Sequence, residues 1–139
     1  NYEKKKVTKI KIIDMQIKKT GMLFLFCCLG PVIIANKRKY YNEFRQMGLD
    51  IGLLFQITDD LIDYKGSSKK VGKKTKKDQI KGKATLISLL GYKNTINYSY
   101  NLKNKIYKNL KKFGKKADNL KQTIDFVIQR SRWVIVINI

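Results

Sequence analysis

The sequence predicts an all-α protein, a helical bundle. Apolar residues recur three and four positions apart along most of the 139-residue chain, as on the buried face of a helix. Glycines at 66, 91 and 114 separate these stretches, and glycine commonly follows the last turn of a helix. A hydrophobic content of 43% at this length is enough for one domain with a real core.

The first predicted helix runs from about Val7 to Leu29, polar at its start and apolar from Met22. We expect its second half to lie inside the bundle and the helix to stop at Pro31. Residues 18–36 imitate a targeting signal, but they are internal, and a Gly-Pro pair leaves them short of the about 20 residues that a membrane span needs. We therefore expect a buried helix and no transmembrane segment.

A second helix is predicted from about Lys39 to Tyr64, ended by Gly66. Lys65 would then lie at the negative end of the helix dipole, where a cation is favourable. The lysine-rich, glycine-containing residues 65–83 follow, and we expect them to form a loop directly after the acidic part of this helix.

Three further helices complete the bundle. One resumes near Ala84 and breaks at Gly91, and a longer amphipathic one ends at Gly114. The last helix covers about residues 119–130. The final WVIVINI, residues 133–139, is a β-branched run without a helical stripe, and we interpret it as a tail that is not part of the fold.

The composition is strongly basic, with 31 lysines and arginines against 10 acidic residues and a net charge of +21. Such an excess favours a polyanionic partner, because basic side chains release counterions from phosphates. An alternative is that the lysines, like the many Asn, Ile and Tyr residues, reflect A/T-rich codons and cover solvated surfaces. Lysine greatly outnumbers arginine, which is unfavourable for reading bases, and we expect no nucleic-acid partner.

Several kinds of chemistry are excluded by the residue types. The chain has no histidine, which rules out Ser/His and Cys/His nucleophiles and histidine-ligated metals. Cys27 and Cys28 are adjacent and cannot bridge each other in a regular helix. We interpret them as small core residues of a protein in a reducing cytoplasm. Any catalysis must use Asp, Lys, Gln and Thr.

The stretch FQITDDLID, residues 55–63, has an unusual distribution of polar side chains. On a helix its polar residues fall within an arc of about 100° and apolar residues cover the rest. The polar stripe is the narrow one, which indicates a helix that is mostly enclosed and carboxylates that face an interior cleft. The stripe consists of Gly52, Gln56, Asp59, Asp60 and Asp63.

Three carboxylates this close repel one another unless a cation lies among them. Oxygen ligands without His or Cys suit Mg²⁺, which keeps waters and phosphate oxygens in its shell. Lys73, Lys74 and Lys83 could then hold a polyphosphate from the other side. The alternative is a capping or solvated acidic turn, with the lysines as its counterions.

Four motifs together carry a resemblance to a known family. They are KKTGMLFLF at 18–26, FQITDDLID at 55–63, VGKKTKKDQIKGKAT at 71–85 and VIQRSR at 127–132. In order and spacing they resemble the C-terminal half of the trans-isoprenyl diphosphate synthases, most of all the bacterial farnesyl and geranylgeranyl diphosphate synthases. The resemblance implies that residues 1–132 are the C-terminal portion of one isoprenoid synthase domain.

The resemblance also implies a set of site residues and a cofactor, Mg²⁺. The metal ligands would be Asp59, Asp60 and Asp63. The substrate diphosphate would be gripped by Lys19, Lys73 and Lys83. The catalytic set would be Lys19, Thr20, Gln56 and Asp59, with the Thr20 and Gln56 oxygens near the reacting carbons.

The implied reaction condenses an allylic diphosphate with isopentenyl diphosphate, in a cytoplasmic enzyme that is a homodimer when full length. The family's first aspartate-rich motif belongs to an N-terminal half that this sequence does not contain, so activity of the chain alone is doubtful. Two other interpretations stay open: an inactive relic of such an enzyme, and a basic helical module that binds nucleic acid or anionic membranes.

Overall fold

A computed structural model describes the backbone of residues 8–70 and 84–133, and the side chains of 8–66 and 84–130. Within these ranges the chain is helical with short connections and contains no strand, which confirms the all-α prediction. The 133–139 tail, apart from Trp133 at a helix end, lies outside the described residues.

The first helix is continuous but changes its winding. It comprises α1 (Lys9–Gln16), a π-helical turn (Ile17–Gly21) and α2 (Met22–Ile34), and the Thr8 hydroxyl caps its start by accepting from the Lys11 amide. A π turn holds one more residue than an α turn and so displaces the side chains that follow it. Here it contacts the long helix that follows in the chain.

The prediction that this helix stops at Pro31 is wrong. Pro31 lies inside α2, within its last turn, and its carbonyl still accepts from the Ala35 amide at 2.9 Å. The helix instead ends at Ile34, and Asn36, two residues later, has a φ of 50° in the left-handed region. The Lys37 amide returns to the Val32 carbonyl at 3.0 Å and satisfies one of the last carbonyls.

The prediction that the second half of this helix is buried is also wrong for the described structure. Leu29 and Val32 are buried in α2, whereas five large apolar side chains are exposed. The reason is that α2 packs mainly on one neighbour and leaves its other side uncovered by described residues. The exposed residues are Met22, Leu23, Phe26, Ile33 and Ile34.

By length and composition the continuous helix Lys9–Ile34 could cross a membrane, contrary to the argument that this stretch is too short. A core helix of a water-soluble protein meets the same criterion, although little of this helix's apolar stretch is buried in the described structure. The absence of a transmembrane segment therefore stays a prediction.

The central element is α3 (Tyr41–Lys70), which contacts α2 on one side and two later helices on the other. Its Leu54 and Ile57 side chains are fully buried. The predicted end at Gly66 is wrong, since α3 continues to Lys70. Gly66 does not have the positive φ of a helix-ending glycine.

The remaining helices agree with the predicted breaks. Thr85 and Ser88 form a capping box at the start of α4 (Leu86–Leu90), and Gly91 separates it from α5 (Tyr92–Leu110) with a φ of 81°. A 3₁₀ segment (Lys111–Ala117) contains Gly114 at a φ of 55° and leads into α6 (Asp118–Trp133). The α-helical winding of α5 therefore ends slightly before the predicted glycine.

The core lies between α3, α5 and α6. The predicted stripe of α5 is buried there at Leu102, Ile106 and Leu110, and Ile124 of α6 completes the layer. Burying each of these side chains contributes about 1.5–3 kcal/mol. Together they fix the face of α3 that carries the acidic stripe against the end of α6.

Candidate functional site

The acidic stripe of α3 is partly enclosed. Gln56 is buried, Asp59 and Asp60 are half-buried, and Asp63 is exposed at the end of the stripe. Gln16 at the end of α1 and Arg130 of α6 face these side chains, so the first two aspartates do not point into bulk solvent. The predicted narrow polar stripe is therefore present on α3, and it opens towards solvent at Asp63.

Asp60 is bound by a side chain from α1. The Gln16 Nε2 amide donates to Asp60 Oδ2 at 2.7 Å, while the buried Gln16 Oε1 has no hydrogen-bond partner among the described protein atoms. Burial raises the pKa of Asp60 to about 6, and the nearby Asp63 and Asp59 add to this. The Gln56 amide and the Lys19 ammonium act in the opposite direction.

Such a carboxylate gains from a nearby cation, because a positive charge offsets both its burial and the repulsion from its neighbours. Lys19 is one cation that acts on it electrostatically. The structure thus brings Lys19 and Asp60 into one site, as the sequence predicted for the lysine and the acidic motif.

Thr20 and Gln56 form a direct bridge between the first helix and α3. The Thr20 hydroxyl donates to Gln56 Oε1 at 3.0 Å. The bridge is possible because the π turn and α3 approach closely at a pair of glycines, one position after Thr20 and one turn before Gln56. These two predicted catalytic residues are therefore neighbours, although they are 36 positions apart.

Asp59 is paired with Arg130, a residue absent from the predicted site. Arg130 Nη2 donates to Asp59 Oδ1 at 2.9 Å, and the guanidinium carbon lies 4.7 Å from the centre of the Phe55 ring. The other terminal nitrogen, Nη1, is buried without a hydrogen-bond partner among the described atoms. In the sequence, the basic VIQRSR segment indicated that the end of α6 belongs to the site, but it did not indicate that Arg130 binds Asp59.

Two predicted diphosphate ligands, Lys73 and Lys83, lie outside the described residues, as does Lys74. The described part of the site therefore consists of the π turn, the acidic stripe and the end of α6. Lys19 is the predicted diphosphate ligand that this part contains, and it is exposed on the π turn.

The acidic stripe has ligand atoms of the kind that the predicted metal ion needs, but they are not arranged as a complete set of ligands. Within 8–66 and 84–130, no three acidic or cysteine side chains are arranged so that they could hold a metal ion. The acidic stripe nevertheless offers oxygen donors alone, which suit Mg²⁺, and Gln16 Oε1 is an additional buried acceptor without a partner. These residues fit a magnesium ion that takes few ligands from the protein.

A separate cleft of about 350 Å³ lies between α1, α3 and α5 and contains none of the predicted site residues. Its acidic group is the buried Asp50, which pairs with Lys105 Nζ at 2.7 Å and accepts from the Gln46 amide at 3.0 Å. Burial, and then the Asp50 charge, raise the pKa of Tyr98 at its edge. The Asp50–Lys105 pair that lines this cleft thus has a structural role.

Comparison with known proteins agrees with the motifs. The model of the family named polyprenyl synthetase matches residues 1–127. The farnesyl diphosphate synthase of Micrococcus luteus is 30% identical over 94% of this chain and 45% of its own length. The geranylgeranyl diphosphate synthase of Cyanophora paradoxa is 33% identical over 84% of this chain and 39% of its own length.

A farnesyl diphosphate synthase from Bacillus subtilis is 35% identical over 63% of this chain and 30% of its own length. The chain thus spans less than half the length of these curated relatives. No solved structure gives a significant match.

Proposed function

Because the chain belongs to the polyprenyl synthetase family, we propose that it provides the diphosphate-binding part of a magnesium-dependent prenyl diphosphate synthase. The relatives named above are farnesyl and geranylgeranyl diphosphate synthases, so the reaction class by family is prenyl transfer. The proposed substrates are an allylic diphosphate and isopentenyl diphosphate. The homodimeric state and the cytoplasmic location stay predictions of the resemblance.

One observation carries the proposal: two side chains of the first helix are hydrogen-bonded to the acidic stripe of α3. Gln16 donates to Asp60 at 2.7 Å, and Thr20 donates to Gln56 at 3.0 Å. These bonds hold Lys19, which lies between them in sequence, beside the carboxylates. A cation, an alcohol and an amide are thus fixed next to an acidic group, the combination that binding of a metal diphosphate requires.

The oxygen-only donors Asp59, Asp60 and Asp63 would hold Mg²⁺, which when bound neutralises the charge that develops on the departing diphosphate. Lys19 would add a positive charge from the opposite helix, and Lys73 and Lys83 are proposed to do the same. The protein's part in ionisation is to present these charges before the reaction starts.

Thr20 and Gln56 are suited to stabilise an allylic cation. Since the Thr20 hydroxyl gives its hydrogen to Gln56, the lone pairs on Thr20 Oγ1 stay available to face a positive carbon. The bond also fixes the orientation of the buried Gln56 carbonyl. In the proposed reaction the double bond of isopentenyl diphosphate attacks that carbon, and a proton is then lost from the adduct.

The chain covers less than half of its relatives, so we propose that full turnover needs residues that this sequence does not contain. Binding of a diphosphate to the described site is the part of the function that can be tested with this chain. Condensation is expected only when a complementary N-terminal portion of a related synthase is supplied.

The test is thermal stabilisation of the full chain by Mg²⁺ together with methylene bisphosphonate. We expect a rise in melting temperature that needs both components and disappears in Asp60→Asn. Asp118→Asn, which removes an exposed carboxylate at the start of α6, is the matched control and should keep the effect. Absence of stabilisation in the parent chain would refute the proposal.

The net charge of +21 supports a second candidate, a basic module for nucleic acid or anionic membranes. That function predicts salt-sensitive binding of DNA or anionic vesicles that Asp59→Asn and Asp60→Asn leave unchanged. The half-buried aspartates have no role in it. An inactive relic would keep the helical structure and bind neither ligand.

A further inference from the structure

The guanidinium of Arg130 is held in place before any ligand is present. Its carbon lies 4.7 Å from the centre of the Phe55 ring, within the range of a cation–π contact. One of its terminal nitrogens donates to Asp59 Oδ1 at 2.9 Å. The side chains of Arg130 and Asp59 are 32% and 34% exposed, so solvent screens their attraction only in part.

The second terminal nitrogen of Arg130 is left without a partner. Arg130 Nη1 is buried and makes no hydrogen bond to a described protein atom. A buried charged donor without an acceptor is unfavourable, and such a group usually indicates a water or a ligand. An anion with several oxygens could accept from both terminal nitrogens at once, which is the arrangement that guanidinium groups favour with phosphates.

Arg130 and a metal ion would compete for the same carboxylate. Asp59 is one of the proposed metal ligands, and its Oδ1 is already occupied by Arg130. A metal ion that binds alone must compete with this ion pair. A metal ion that arrives with a diphosphate supplies a replacement anion for the arginine at the same time.

We propose that Arg130 is an additional diphosphate-binding residue, held on Asp59 until a metal ion takes that carboxylate and the arginine transfers to the diphosphate. This inference rests on the proposed function and deepens it. It makes binding of metal and of diphosphate cooperative. The metal ion removes the Asp59 carboxylate from Arg130, and only a bound diphosphate replaces that lost ion pair.

The test compares the parent chain with Arg130→Gln in two measurements. Free Mn²⁺, followed by its electron paramagnetic resonance signal, reports the affinity for the metal alone. Calorimetry with inorganic diphosphate at saturating Mg²⁺ reports the affinity for the anion. We expect Arg130→Gln to bind Mn²⁺ more tightly and inorganic diphosphate at least about ten-fold more weakly, since one charged donor is lost.

Two further variants make the result specific. Arg45→Gln removes the same charge from an exposed position on α3 and should leave both affinities unchanged. Arg130→Lys keeps the charge without the planar fork, so it should restore part of the diphosphate affinity. Helix content by circular dichroism confirms that each variant is folded, and Arg130→Lys is the comparison to use if Arg130→Gln is not.

The outcomes separate the two proposals. If the parent binds no magnesium diphosphate, the proposed function fails and the inference falls with it. If the parent binds but Arg130→Gln behaves like Arg45→Gln, only the role of Arg130 is refuted. A parallel loss of Mn²⁺ and diphosphate affinity in Arg130→Gln would also refute it, because that result indicates a merely structural residue.

Discussion

Gly52 of α3 and Gly21 of the π turn meet backbone to backbone. A Cβ atom at Gly52 would lie 2.5 Å from the Cα of Gly21, far closer than two carbon atoms can approach without a bond. This contact lets the first helix cross α3 at the level where Thr20 reaches Gln56. The close crossing therefore depends on the absence of a side chain at Gly52.

Replacing Gly52 by alanine should separate the two helices. We expect Gly52→Ala to lower the free energy of unfolding by about 2 kcal/mol or more, as overpacking does in a rigid core. The clash is with backbone atoms, which cannot rotate away. Urea denaturation followed by circular dichroism at 222 nm measures this change.

The matched control is Gly66→Ala on the same helix. Apart from its own helix backbone, no atom of the described residues lies within 4 Å of a Cβ at Gly66, and its φ is not positive, so alanine should stabilise the helix by up to about 1 kcal/mol. Equal effects of the two substitutions would show that the close crossing at Gly52 does not exist in solution.

The stability of the chain should depend on pH through Asp60. Its pKa is raised from 3.8 to about 6 in the folded protein, mainly by burial, so folding favours the protonated form. The resulting contribution to stability is complete below about pH 4 and is lost as the pH rises through about 6. Above that pH the ionised carboxylate destabilises the folded state.

Asp60→Asn removes this dependence. After allowance for partial exposure, we expect the variant to be more stable than the parent by on the order of 1 kcal/mol at pH 7.5, and about equal to it at pH 4. Urea denaturation at the two pH values measures the difference. A variant that is less stable at pH 7.5 would indicate that the Gln16 bond to the carboxylate outweighs its burial.

Lys105 should contribute to stability although it is itself half exposed, because its partner is not. The Asp50 side chain is 7% exposed, and Lys105 Nζ lies 2.7 Å from its Oδ2. Lys105→Gln removes the only charge paired with Asp50 among the described side chains, and we expect a loss of about 1–3 kcal/mol. Lys108→Gln, at an exposed position of the same helix, is the control and should change stability by less than about 0.5 kcal/mol.

The uncovered side of α2 should make the chain self-associate. Leu23 is 66% exposed and Phe26 is 74% exposed, on a helix whose outer side meets no described residue. Exposed apolar patches of this kind favour association in water. We expect multi-angle light scattering to give a mass above that of one chain, and the double variant Leu23→Lys, Phe26→Lys to reduce it.

The added charge needs its own control. Asn97→Lys with Asn104→Lys places two lysines at exposed positions of α5 without removing an apolar side chain, and it should leave the association unchanged. A monomeric parent chain would show that this side of α2 is covered in solution.

Much of the architecture could be predicted because periodicity is a local property. The apolar stripe at Leu102, Ile106 and Leu110 is buried as its spacing indicated, and the positive φ at Gly91 and Gly114 agrees with the predicted breaks. The polar stripe from Gln56 to Asp63 was visible for the same reason, since rotation about one helix axis depends on nothing outside the helix.

The errors concern residues whose effect depends on their neighbours. Pro31 lies inside α2 although its ring removes one backbone donor, and Gly66 lies inside α3 because glycine permits a turn without enforcing one. Neither outcome can be read from residue type alone. The exposure of α2 likewise depends on what packs against it.

The sequence by itself determined the helices and the cluster of acidic side chains, because both follow from residue types close together in the chain. Only the tertiary structure decided which residues meet the aspartates. Arg130 reaches Asp59 across 71 positions, and Gln16 reaches Asp60 across 44. These pairs exist because the Gly21–Gly52 contact and the core around Ile106 and Ile124 fix three helices relative to one another, which no local pattern encodes.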